Sequence, residues 1–62
     1  MKYTELHRLI TRNGYQFDHA VGSHYFYKDV NGHITQPIPY HGSKEVGSGL
    51  ARKILKDLGI NR

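Results

Sequence analysis

The chain has 62 residues, a formal net charge of +4 and no cysteine. That length supports a single domain, 1–62, burying roughly 60% of its unfolded surface, too little for a deep catalytic cavity with its own lid; the lack of cysteine excludes disulfides, thiolate nucleophiles and Cys-type zinc sites. No apolar run approaches the ~20 residues of a membrane span and no signal-peptide pattern opens the chain, so a soluble protein of the cytoplasm is expected, and the basic balance points to a polyanion, nucleic acid above all.

The first element is a helix over the 2–13 stretch, with Thr4 as N-cap and Glu5 in the first turn, where the helix dipole favours an acid. Leu6, Leu9 and Ile10 stand at i, i+3 and i+4 and make its apolar stripe, while Arg8 and Arg12 share a polar face. Asn13-Gly14 ends it, because glycine takes the left-handed conformation that other residues resist. Residues 15–19 alternate Tyr15, Phe17 and His19 against Gln16 and Asp18, the pattern of a strand with one buried face.

After a turn over 20–23 comes the strand His24-Tyr25-Phe26-Tyr27-Lys28. Period-2 alternation places His24, Phe26 and Lys28 on one side and Tyr25 and Tyr27 on the other. Tyrosines can bury their rings while their hydroxyls reach the edge, which leaves His24 and Lys28 on an open face and Phe26 as an exposed aromatic. Asp29-Val30-Asn31-Gly32 reads as a hairpin turn. A third strand over 34–40 carries Pro37 and Pro39, which cannot donate to a ladder and so mark a sheet edge. A loop over 41–47 leads to a helix from 48 to about 58, with Ser48 as N-cap and Leu50, Ala51, Ile54, Leu55 and Leu58 as its apolar face. Gly59 and Ile60 fit a Schellman ending.

The order α-β-β-β-α with short connections predicts an α+β fold: a three-stranded antiparallel meander with both helices on one face and the other face open. The five histidines include no His-x-x-x-His pair and no acidic cluster accompanies them, so no metal site is expected. His19 and His41 are read as orienting turns, and Tyr15, Tyr27 and Tyr40 as core.

Three segments together resemble the HicA (YcfA-like) toxin family: the helix ending in Asn13-Gly14-Tyr15, the strand start Gly22-Ser23-His24, and Ile38-Pro39-Tyr40-His41-Gly42-Ser43-Lys44-Glu45 leading into Leu50-Ala51-Arg52-Lys53-Ile54-Leu55-Lys56. The resemblance covers essentially the whole chain. It implies a double-stranded-RNA-binding-domain-like fold, an mRNA endoribonuclease that blocks translation, and a cognate HicB-like antitoxin that covers the active surface. It places the family's functional histidine on His24; His41, after Pro39-Tyr40, also falls at a familiar position of the family and is read as structural. The paired Pro37 and Pro39 depart from the family pattern at the third strand.

Metal-independent RNA cleavage uses the neighbouring 2′-hydroxyl as nucleophile and calls for a base, an acid and positive charge at the phosphorane. Histidine suits the proton steps, since its ordinary pKa lies near working pH. His24 takes that role, and no cofactor is expected. One histidine cannot be base and acid at once, so a second group or water must complete the cycle. Lys28 and Lys44 are candidates for phosphate binding, Lys44 because it lies in a glycine-bearing loop before a helix. Arg52, Lys53 and Lys56 are candidates for RNA backbone contact, balanced against simple solvation of the helix. The alternative reading of the same charge and fold is a non-catalytic double-stranded-RNA-binding module.

Overall fold

The computed structural model of the chain describes residues 1–61. Its elements follow the order α1 (Tyr3–Arg12), β1 (Gln16–Val21), β2 (His24–Lys28), β3 (Ile38–Pro39) and α2 (Ser48–Asp57). The strands form one antiparallel sheet in the order β1-β2-β3, so β2 is central. The α-β-β-β-α order, the antiparallel meander and the open sheet are those expected from the sequence.

The helix boundaries differ by a residue or two, for reasons visible in the caps. Thr4 is not the N-cap of α1: Lys2 is, and its backbone N–H donates to Glu5 Oε1 at 3.0 Å. The next two amides, Tyr3 and Thr4, donate to the carbonyls of Lys44 and Gly42 at 3.0 and 3.1 Å. The loop before α2 therefore supplies the partners that a helix N-terminus lacks, and a distant segment does what a local side chain was expected to do. Likewise Gly47, not Ser48, is the N-cap of α2. The far end of α2 is the expected Schellman motif: Gly59 N–H donates to Lys56 O, Ile60 N–H donates to Leu55 O at 2.8 Å, Gly59 has φ +71° and Ile60 is buried.

The core joins Tyr3, Leu6 and Ile10 of α1, Tyr27 and Ile38 of the sheet, Val46, and Ala51, Leu55 and Ile60 of the C-terminal region in one cluster. Both helices therefore bury their apolar stripes against the side of the sheet that carries Tyr27 and Ile38. The stripe of α1 is Tyr3, Leu6, His7 and Ile10, with Leu9 only half-buried. Leu50, assigned to the apolar face of α2, is 40% exposed.

The sheet departs from the sequence reading at both edges. The expected buried face of β1 does not form, for all six of its residues are exposed. A β-bulge between Phe17 and His19 breaks the alternation: Phe17 pairs with Tyr27, His19 with Phe26, and Asp18 is the extra residue. Phe17 and His19 thus fall on opposite faces. The expected strand over 34–40 shrinks to Ile38–Pro39 plus an isolated bridge between Lys28 and Ile34. Pro39 has no N–H to give and its carbonyl goes to His7 at 2.8 Å, so ladder bonding resumes only at Tyr40, whose N–H donates to Ser23 O at 2.8 Å.

Candidate active site

β2 sends alternate side chains to opposite sides. Tyr25 and Tyr27 turn toward the helices, where their rings meet His7 of α1 at centroid distances of 5.2 and 5.5 Å. His24, Phe26 and Lys28 take the open face. Phe26 is not the bare aromatic the strand pattern suggests. The bulge brings His19 onto its face, and the two rings stack at 4.4 Å with an interplanar angle of 1°, leaving Phe26 half-buried.

His24 is exposed and opens β2, directly after the Gly22-Ser23 turn. Gly22 has φ +59°, which a side chain would resist, so the tight entry into the strand rests on that glycine. The backbone around His24 is held on both sides, by pairing with Val21 of β1 and Pro39 of β3. Val21 is 62% exposed and does not cover it. Among the described residues no side-chain hydrogen bond, ion pair or ring contact engages the His24 imidazole. A firmly held backbone thus presents an imidazole to water, the arrangement that proton exchange with a docked substrate requires.

The cationic residues singled out from the sequence are not gathered in one place. Lys28 shares the open face of β2 with His24, four residues along the strand, about 13 Å at strand rise. Lys44 lies in the loop that passes the N-terminus of α1; the first-turn amides there already donate to loop carbonyls, Tyr3 N–H to Lys44 O itself. Arg52, Lys53 and Lys56 are exposed on α2, which belongs to the helical layer behind the sheet. Lys53 is tied to Asp57 at 2.8 Å, with both side chains in water.

Two histidines carry more structure than their sequence positions suggested. His7 is buried. Its Nε2 lies 2.8 Å from Pro39 O and its Nδ1 lies 2.6 Å from the Tyr27 hydroxyl. A carbonyl can only accept, so Nε2 donates and the neutral ring accepts the Tyr27 proton at Nδ1. Burial lowers the His7 pKa, against the opposing effect of the Pro39 carbonyl. Burial also pushes the Tyr27 hydroxyl up to about 12, with Tyr25 and Tyr40 adding to the shift. Through Pro39, His7 ties α1 to the residue paired with His24. The signal was present in the sequence: Tyr3, Leu6, His7 and Ile10 stand at i, i+3, i+4 and i+7.

His19 does not orient a turn. It lies within β1, with Nδ1 2.6 Å from Asp18 Oδ2, and its side chain is half exposed. His41 faces Tyr3 edge-on at 5.0 Å. Tyr15, Tyr27 and Tyr40 all join or pack against the core, and the Tyr15 hydroxyl donates to Leu58 O at 2.9 Å. Among the described residues no group of three or more His, Cys, Asp or Glu side chains could hold a metal ion, and no helix is long and apolar enough to cross a membrane.

The family model described as the HicA toxin of bacterial toxin–antitoxin matches residues 3–60. A protein of Pseudomonas fluorescens (strain Pf0-1), named a probable mRNA interferase HicA, is 43% identical over 60 residues, a match covering 97% of each chain. A family match across almost the whole chain, together with a relative of this identity and coverage, assigns it: the chain belongs to the HicA toxin family.

Proposed function

We propose that this protein is an mRNA endoribonuclease toxin of the cytoplasm, cutting RNA without a metal and held inactive by a cognate HicB-like antitoxin. The observation that carries the reading is the open sheet face. It holds an imidazole exposed to water and a cation on the same strand, and among the described residues no helix covers either. The relative named as an mRNA interferase supports the substrate class.

His24 exchanges the proton of the attacking 2′-hydroxyl. The 2′-oxygen bonds to phosphorus, the bond from phosphorus to the 5′-oxygen breaks, and the products carry a 2′,3′-cyclic phosphate and a 5′-hydroxyl. Lys28 stands where it can offset charge on the phosphorane. Lys44, Arg52 and Lys56 hold more distant phosphates of the chain, a sequence-independent attraction that salt weakens, and Lys53 adds little because Asp57 already pairs it. The antitoxin acts by covering the face that carries His24.

Expression of the unaltered chain in bacteria without an antitoxin should arrest growth, and the His24→Ala variant should not. The substitution should change stability by no more than about 0.5 kcal/mol, as exposed positions do; a denaturant melt checks that loss of toxicity is not loss of fold. A folded His24→Ala protein as toxic as its parent would remove His24 from the mechanism.

A further inference from the structure

The reaction proposed above leaves one role unfilled: the group that protonates the departing 5′-oxygen while His24 handles the 2′-hydroxyl. We infer that His19 is this second proton-transfer group, a general acid placed beside His24 by the bulge in β1. The inference rests on the nuclease reading and adds a residue to it.

Strand pairing places the two imidazoles on one surface. His19 stands opposite Phe26, and Val21 stands opposite His24. Residues directly opposite in an antiparallel pair share a face, as do residues two apart on one strand. His19 and His24 are therefore diagonal neighbours on the open face, with Cα atoms about 7–8 Å apart. A phosphodiester lying across β1 and β2 can meet one ring with its 2′-oxygen and the other with its 5′-oxygen. Without the bulge at Asp18, strict alternation would put His19 on the side of Phe17, away from His24. Bulges commonly re-aim one side chain in this way.

The pose of His19 suits the task. Asp18 Oδ2 accepts from Nδ1 at 2.6 Å, which leaves Nε2 as the ring atom that can face a substrate. When the ring carries both protons, the same contact becomes an ion pair. Phe26, stacked flat on the imidazole at 4.4 Å, fixes the ring plane. A solvated pair on an edge strand contributes little to stability, so two constraints on one half-exposed ring have a better account in what the ring does. In the proposed step His24 takes the proton from the 2′-oxygen and His19 Nε2–H gives its proton to the 5′-oxygen as the bond to phosphorus breaks. Proton exchange with water then resets both rings.

The test uses the whole chain and an RNA oligonucleotide spanning a linkage that the unaltered protein cuts. A second oligonucleotide carries sulfur in place of the 5′-oxygen at that linkage, so that the leaving thiolate needs no proton. His19→Ala and His19→Gln should cut the natural linkage about 100-fold more slowly or worse, the usual weight of a general acid. Both should return close to the unaltered rate on the sulfur linkage, whereas His24→Ala should stay slow on both. His19 variants that cut the natural linkage at the unaltered rate overturn the proposal and leave His24 in place. An equal loss on both linkages also overturns it, since that marks a defect in folding or RNA binding. If the unaltered protein cuts no RNA, the nuclease reading falls and this assignment falls with it.

Discussion

His7 is the polar residue in an otherwise apolar stripe, and its bonds are all made inside the protein. Truncation to alanine leaves a cavity and strands the Tyr27 hydroxyl and the Pro39 carbonyl without their partner. The cost should be about 3 kcal/mol, a large share of the roughly 3–9 kcal/mol that a domain of this length holds. Urea denaturation of His7→Ala checks it. His7 should also make stability depend on pH. Its folded-state pKa lies below the ordinary 6.5 because burial penalises the cation. As pH falls through 6.5 the unfolded chain takes up the proton first, which pulls the equilibrium toward it. The contribution is full above 6.5, declines between 6.5 and the lowered folded-state value, and levels off below that. The slope for one proton is at most about 1.4 kcal/mol per pH unit. Urea melts between pH 8 and 5 should therefore show a steeper loss in the unaltered protein than in His7→Gln, whose side chain does not titrate.

At the level of elements, the ends of α2 offer a paired comparison. Gly49 lies in its first turn and Gly59 beyond its last, and a Cβ built on either meets nothing within 4 Å. Only backbone conformation separates them. Gly59 has φ +71°, so Gly59→Ala should destabilise by about 1 kcal/mol. Gly49 has no such φ, so Gly49→Ala should stabilise by about 0.5 kcal/mol through a more restricted unfolded chain. Thermal melts giving the same sign for both would contradict this reading of the helix ends. Local sequence also foretold the Asp29–Gly32 turn, where Asp29 Oδ1 accepts from the amides of Asn31 and His33 at 2.8 and 3.0 Å. Those bonds, the one from His33 foremost, hold the Asp29 carboxyl below its usual range. The strand beyond was shorter than its residues suggested, because prolines at 37 and 39 interrupt the donors that a ladder needs.

On the scale of the whole molecule, two helices stack on one side of the sheet and, among the described residues, leave the other bare, and this division sorts the cations. Lys28 stands with His24 on the bare side, while Lys53 sits in the helical layer and is held by Asp57. Lys28→Gln should slow RNA cleavage about tenfold through lost charge at the phosphate. Lys53→Gln should change it by no more than about twofold, since an exposed ion pair already occupies that side chain. Initial rates on one RNA substrate at fixed salt decide between this ranking and one in which every cation counts equally. Retention of RNA by the His24→Ala protein should weaken steadily with added salt, as counterion release requires.

Amphipathic spacing, glycine positions and proline placement were enough to lay out two helices, three strands and their order, because those signals act within a turn or two of the chain. The strand start at Gly22-Ser23-His24 and the exposed side of β2 were legible for the same reason. What the chain in one dimension did not disclose was which partners lie across space. The amides that begin α1 find carbonyls some 40 residues away, His7 finds Tyr27 and Pro39, and one extra residue at Asp18 turns His19 toward the face of His24. Each of these depends on register and on long-range contacts, and a shift of one position in a strand exchanges its two faces. Composition and periodicity determined the fold class; only tertiary pairing decided which histidine is buried and which two share a surface.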